Sequence, residues 1–141
     1  FSFQIREENR VFIDDYAHHP TEINAVHQAV RELYPGKKII AAFQPHLFSR
    51  TKDFADGFAA SLSQFDEILL LDIYPARELP IDGITSTWLL TKIAHPNKKL
   101  VNKKELIAAF KNSDATVFIT IGAGDIGEMV KDIKNALYEE N

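Results

Sequence analysis

A chain of 141 residues can build one domain with its own core and is too short for two ordinary ones. Its net charge of −4, from 16 basic and 20 acidic residues whose lysines pair but never run, argues against nucleic acid as a partner. The absence of cysteine excludes disulfides, thiol nucleophiles and cysteine-ligated metals and suits the cytosol, and the longest apolar stretch, Ile68-Leu69-Leu70-Leu71, is far below the roughly 20 residues that span a bilayer.

The chain opens on Phe1 and its only methionine is Met129, so the natural protein is expected to begin upstream, with this segment an excised domain. Residues 1–6 alternate apolar and polar, and Glu7-Glu8-Asn9-Arg10 joins them to the apolar run 11–13, a hairpin with one edge strand. Asp14-Asp15-Tyr16-Ala17-His18-His19 then turns into a helix over 21–34. Pro20 suits its first turn, Glu22 its positive N-terminus, and Ile23, Val26, Val30 and Leu33 recur at helical spacing.

Residues 38–43 read as a buried strand, followed by the polar loop Gln44-Pro45-His46-Leu47-Phe48-Ser49-Arg50-Thr51 and a helix over 52–64. After a strand over 67–72 comes the longest irregular stretch, 73–84, of a length usual for functional or mobile loops. Its Arg77 and Glu78 either reach the rim formed by the preceding strand ends or remain solvated charges. Weaker helices over 86–93 and 103–111 flank a short strand at 98–101. A last strand over 116–121 leads through Gly122-Ala123-Gly124-Asp125-Ile126-Gly127 into a helix over 124–138. The alternation predicts an α/β fold: a mostly parallel, doubly wound, Rossmann-like sheet with one antiparallel edge strand and helices on both faces. Such sheets bind ligands at the carboxyl ends of their strands, where all three polar clusters fall.

Asp14 and Asp15 are suited to three roles: holding Mg2+, accepting from a ribose, or capping the turn before the helix. His18 and His19 are sequence neighbours that point apart, so a zinc pair is not expected. His18 and His46 lie instead on successive strand-end loops, where they can converge on a substrate. Arg50 offers a rigid fork for a carboxylate or phosphate, with a surface ion pair to Asp53 as the bland alternative. His27 and His95 read as structural, and His19 stays open between structure and site. The glycine motif has dinucleotide-fingerprint spacing and backbone N–H groups that favour an anion. It follows the last strand and stands only 14 residues before the chain end, which argues against a nicotinamide site. No Gly-x-x-x-x-Gly-Lys-Ser/Thr loop is present to cradle ATP phosphates.

Together, Asp14-Asp15-Tyr16-Ala17-His18-His19-Pro20-Thr21-Glu22, Phe43-Gln44-Pro45-His46 with Ser49-Arg50-Thr51, and Gly122-Ala123-Gly124-Asp125-Ile126-Gly127 resemble the C-terminal domain of the Mur ligases. These are the ATP-dependent amide-forming enzymes of peptidoglycan synthesis, and the resemblance covers essentially the whole chain. The motifs are most similar to those of members that join L-alanine to UDP-N-acetylmuramate. The ligase that recycles murein tripeptide shares the first motif, while Phe43-Gln44-Pro45-His46 favours alanine.

The resemblance implies that residues 1–141 are the amino-acid-binding domain, inactive alone, following UDP-binding and central ATP-binding domains outside this chain. The expected partners are L-alanine, UDP-N-acetylmuramate and ATP, with Mg2+ and the phosphates held mainly by the central domain. It further implies that Asp15 contacts the nucleotide ribose and Asp14 is structural. His18, His46 and Arg50 would line the amino-acid pocket together with Tyr16; His18 and Arg50 would act catalytically, and Gly122, Ala123 and Gly124 would join in amino-acid binding as a loop beside the amino-acid and acyl-phosphate site. Leu47 departs from the family, many of whose members carry arginine directly after the histidine. A non-catalytic nucleotide- or partner-binding domain that kept the fold is the alternative of a different class.

Overall fold

The computed structural model describes residues 1–139. One sheet runs in the order β1-β2-β6-β3-β4-β5, built from β1 (Ser2–Arg6), β2 (Val11–Asp15), β3 (Ile39–Phe43), β4 (Glu67–Leu70), β5 (Lys98–Leu100) and β6 (Val117–Ile121). β1 pairs antiparallel with β2, and every other pairing is parallel, as the sequence led us to expect. The helices are α1 (Pro20–Leu33), α2 (Phe48–Asp53), α3 (Ala55–Leu62), α4 (Ser86–Lys92), α5 (Lys103–Asn112) and α6 (Val130–Glu139). Among the described residues no helix is long and apolar enough to cross a membrane.

β3 and β6 are buried at every position, as central strands covered on both faces must be. Their residues alternate between two cores. Ile39, Ala41, Phe43, Val117, Ile119 and Ile121 pack with Ile23, Val26 and Val30 of α1, Phe58 and Leu62 of α3 and Leu89 of α4. Phe12, Ile40, Ala42 and Phe118 pack with Leu106 and Phe110 of α5 and Ile133 and Leu137 of α6. This period of two was hidden in the sequence because both faces are apolar.

Four boundaries differ from the sequence reading by two residues or more, the simplest being β4, which stops at Leu70 instead of 72. β2 runs through both acids, because Asp14 and Asp15 stay paired with Thr120 and Ile121 of β6. The helix expected over 52–64 is two helices, starting at Phe48 and broken at Phe54, so that Ser49, Arg50 and Thr51 are helical rather than loop. The break lets α3 dock on the start of α1: Ser61 Oγ donates to the Pro20 carbonyl at 3.1 Å. At Gly57 a Cβ would come within 3.0 Å of the Pro20 ring. The helix expected over 124–138 opens as a 3-10 turn (Asp125–Met129), and α6 begins at Val130.

At the end of the sheet opposite these strand ends, Arg31 ties α1 to β3. It donates to both Asp66 oxygens at 3.0 and 3.2 Å and to His27 Nε2 at 3.0 Å, while Asp66 accepts the Ile39 N–H at 2.8 Å. Burial, reinforced by the Arg31 charge, holds His27 below the ordinary histidine pKa of 6.5. A depressed pKa in the folded state means stability present above 6.5 and lost as pH falls from there through the folded value. Thermal midpoints should therefore fall between about pH 7 and 5. His27→Gln should flatten that limb, and an unchanged limb would contradict the assignment.

Candidate functional site

The chain leaves β6 toward the α6 face, whereas its neighbours β2 and β3 lead to helices of the other face, so their carboxyl ends diverge around a crevice. Residues 15–19, 44–50 and 122–126 meet there, joined by the loop after β4. Pro20 at the first position of α1 and His19 as its cap fix the entry of the first segment. His19 Nδ1 accepts the Thr21 N–H at 3.3 Å, and Glu22 Oε1 accepts the His18 N–H at 3.0 Å. His19, which also lies 4.6 Å from the Phe54 ring, is thus structural. So are His27, bound to Arg31, and His95, whose ring accepts the Asn97 N–H at 3.0 Å.

His18 and His46 do converge, with ring centroids 6.3 Å apart and nearly perpendicular. Arg50 Nη1 lies 3.3 Å from His46 Nδ1. A guanidinium only donates, so Nδ1 carries the lone pair and the His46 proton sits on Nε2. Burial first, then the positive Arg50, hold the His46 pKa below 6.5, which keeps it neutral at pH 7. His18 is arranged the other way round: its Nδ1 is 3.0 Å from the Tyr16 carbonyl, which can only accept, so in the neutral ring the lone pair is on Nε2. Two imidazoles in opposite tautomers thus stand beside a guanidinium. Among the described residues no acid comes within 4.0 Å of Arg50, so the ion pair with Asp53 does not form. Tyr16 lies edge-on 5.9 Å from His18 and remains 69% exposed.

The acids divide. Asp15 caps a turn rather than the helix, its Oδ1 accepting the Ala17 N–H at 2.8 Å while Oδ2 lies 2.8 Å from the Phe1 nitrogen. Each oxygen keeps a further lone pair. Asp14 accepts the hydroxyl of the fully buried Thr120 at 2.7 Å. Burial raises the Asp14 pKa above 3.8, and the Thr120 bond works against that rise. Thr120→Val should cost about 1 kcal/mol in denaturant unfolding by stranding this carboxylate. No change would show that water replaces the hydroxyl.

The glycine loop is locked rather than open. Gly122, at φ 153°, donates to the Asp15 carbonyl at 3.0 Å. A Cβ on Gly124 would lie 2.6 Å from both Gln44 Oε1 and Tyr74 Cδ1. Gln44 Oε1 accepts the Ile126 N–H at 2.9 Å, and Gln44 Nε2 donates to Asp125, which also pairs with Lys103, each at 2.7 Å. The expected anion-binding N–H is therefore already used at Ile126, and the turn opens as 3-10 around that bond. Ala123 sits half-buried between the two glycines.

Sequence reasoning placed Gln44 in a motif without giving it a role, missed Tyr74 as part of the site and left Glu78 undecided. Tyr74 stacks on His46 at 5.6 Å and 20°. Glu78 accepts the Ser49 N–H at 3.1 Å and the Ser49 hydroxyl, capping α2; Arg77 is exposed. Between His46 and α2, Leu47 adopts φ 73°, a left-handed backbone costing a non-glycine residue about 1–3 kcal/mol. For Tyr74 the early signal was the unusual length of the 73–84 stretch that it opens.

Residues 3–124 match the family model described as Mur ligase, glutamate ligase domain. The chain is 75% identical over 140 residues to the UDP-N-acetylmuramate–L-alanine ligase of Flavobacterium psychrophilum. It is 70% identical over 139 residues to that of Flavobacterium johnsoniae. These alignments cover 99% of this chain and 31% of each relative, so the chain spans about a third of their length. The crystal structure of the UDP-N-acetylmuramate–alanine ligase of Thermotoga maritima matches all of the chain over 30% of its own, with TM-score 0.78 and 27% identity. A murein peptide ligase of Psychrobacter arcticus shares the fold over 96% of this chain and 29% of its own, with TM-score 0.72 and 16% identity.

Proposed function

Since the chain belongs to the Mur ligase family, we propose that it is the C-terminal, amino-acid-binding domain of an ATP-dependent cytosolic ligase that joins L-alanine to UDP-N-acetylmuramate in peptidoglycan synthesis. Relatives named for that activity at 75% and 70% identity support alanine over a murein tripeptide as the incoming amine. Fold does not separate the two, since ligases of both names share it.

The observation that carries the reading is the Arg50–His46 pair, whose guanidinium has no acid within 4.0 Å among the described residues, Glu78 acting on it only from farther away. A guanidinium with unspent donors and a neutral imidazole with its proton on Nε2 suit an amino-acid carboxylate. The His18 Nε2 lone pair suits the other end of the same molecule, taking a proton from its ammonium so that the free amine can attack. In the proposed reaction the muramate carboxylate is activated as an acyl phosphate, and alanine's amine displaces phosphate to form the amide. The share of this chain is to hold the amine in line and close the site to water. Tyr16 and the loop of Gly122, Ala123 and Gly124 border that space.

The described residues of this chain offer no glycine-rich cradle for the phosphates. No glycine-rich lysine loop is present, and no group of three potential metal ligands occurs among the described residues. Of the nucleotide, the ribose finds a fitting acceptor here, on the spare lone pairs of Asp15. We assign the triphosphate and Mg2+ to preceding domains of the longer protein and expect the isolated domain to be inactive.

Amino-acid capture should depend on neutral His46, because a proton on Nδ1 expels the Arg50 donor. The KM for alanine is expected to hold above about pH 6.5 and rise only as pH falls through the depressed His46 pKa. A KM flat from pH 8 to 5 would sink this role.

The proposed function is tested by ADP and phosphate release from the full-length protein with ATP, Mg2+ and UDP-N-acetylmuramate. Alanine-dependent turnover supports it. Tripeptide-dependent turnover makes the protein the recycling ligase, and turnover with neither leaves a non-catalytic binding domain.

A further inference from the structure

The pocket residues do not hold themselves in place. His46 ends a short parallel bridge with Tyr74, and the next residue, Leu47, stands in a left-handed conformation that its side chain disfavours. Three hydrogen bonds keep it there. The Leu47 N–H donates to the Tyr74 carbonyl at 2.9 Å, and the Leu47 carbonyl accepts from the Thr51 N–H and hydroxyl at 3.2 and 2.8 Å. Two residues further on, Glu78 closes on the Ser49 N–H and hydroxyl from the other side of the loop.

The kink at Leu47 reverses the chain so that His46, before it, and Arg50, one helical turn after it, face each other at 3.3 Å. Without the loop after β4, the backbone would relax toward an ordinary negative φ, and the pair would separate. Glu78 supplies the cap that α2 lacks, since Leu47 at its N-cap makes no side-chain hydrogen bond.

We infer that Glu78, acting with Tyr74, is the positioning residue of the amino-acid pocket: it clamps the strained Leu47 segment and thereby sets Arg50 against His46. The inference rests on the proposed alanine-ligase reading. Glu78 acts through Ser49 rather than by touching His46 or substrate, and its carboxylate is held below the ordinary range mainly by the two Ser49 hydrogen bonds.

The test compares KM for L-alanine, ATP and UDP-N-acetylmuramate in the full-length wild type, Glu78→Ala, Glu78→Gln and the double variant Glu78→Ala with Leu47→Gly. Releasing the clamp should raise the alanine KM about tenfold, the worth of one charge-assisted hydrogen bond, while the other two KM values move less than about twofold. Glu78→Gln, which still accepts one Ser49 bond, should lie between. Leu47→Gly removes the cost of the left-handed backbone, so it should restore much of the alanine KM in the Glu78→Ala background. A merely structural defect would lower turnover without raising the alanine KM selectively over the other two. Wild-type turnover with an unchanged alanine KM in Glu78→Ala, or a double variant worse than the single one, overturns the inference alone. Absence of alanine-dependent turnover in the wild type overturns the function reading, and the inference with it.

Discussion

Arg50→Ala in the full-length protein is expected to raise the KM for L-alanine by roughly 10- to 100-fold, with the KM for ATP little changed. The size follows from the interaction that the substitution deletes: a hydrogen bond to a charged group contributes about 1.5–3 kcal/mol, and each 1.4 kcal/mol is a factor of ten. Two features of the site make the effect specific to alanine. No acid within 4.0 Å competes for the guanidinium among the described residues, and the His46 nitrogen that it meets is neutral. Arg50→Lys should recover little, because an ammonium is a point donor that cannot both reach His46 and grip a carboxylate in two places. Steady-state kinetics with alanine varied at saturating ATP and UDP-sugar provide the check. An alanine KM within twofold of wild type would place the amino acid elsewhere.

The second large effect concerns a glycine packed beneath the site. Gly124→Ala should destabilise the fold by about 1–3 kcal/mol and raise the alanine KM as well. The φ of Gly124 is negative and open to any residue, so the cause is steric alone. The new methyl would stand 2.6 Å from Gln44 Oε1 and from the Tyr74 ring. Relief requires Gln44 to release the Ile126 N–H and Tyr74 to move from beneath His46, or the loop itself to shift away from both. Gly127→Ala is the control three residues on: nothing lies within 4 Å of its Cβ, and trimming unfolded-state freedom there should be neutral or mildly stabilising. Denaturant unfolding of the two variants side by side decides the point, and equal stabilities would remove the steric argument.

Much of this architecture was readable from residue pattern. The apolar runs that became β3, β4 and β6 are short and bounded by turn residues, and their alternation with amphipathic helices leaves few ways to wind the sheet. The meeting of His18 and His46 was readable for the same reason, since both follow strands that end at one rim. What escaped depends on partners distant in sequence. α2 begins at Phe48 because Glu78, 29 residues beyond Ser49, caps it; no local signal marks that start. Leu47 holds a conformation that leucine avoids because Tyr74 and Thr51 bind it on both sides. His19 caps α1 although histidine is not a favoured cap, and this freed Asp15 to stay in β2 and turn toward Ala17. The tautomers of His18 and His46 follow from a carbonyl and a guanidinium whose distances only the folded chain fixes.

Kinetics place alanine by inference; a crystal structure of the full-length protein with L-alanine and a non-hydrolysable ATP analogue observes it. The alanine carboxylate is expected within about 3.2 Å of the Arg50 guanidinium, an ordinary hydrogen-bond distance, and its nitrogen within reach of His18 Nε2. Alanine bound with its carboxylate away from both Arg50 and His46 would contradict the assignment of this strand-end cluster as the amino-acid site.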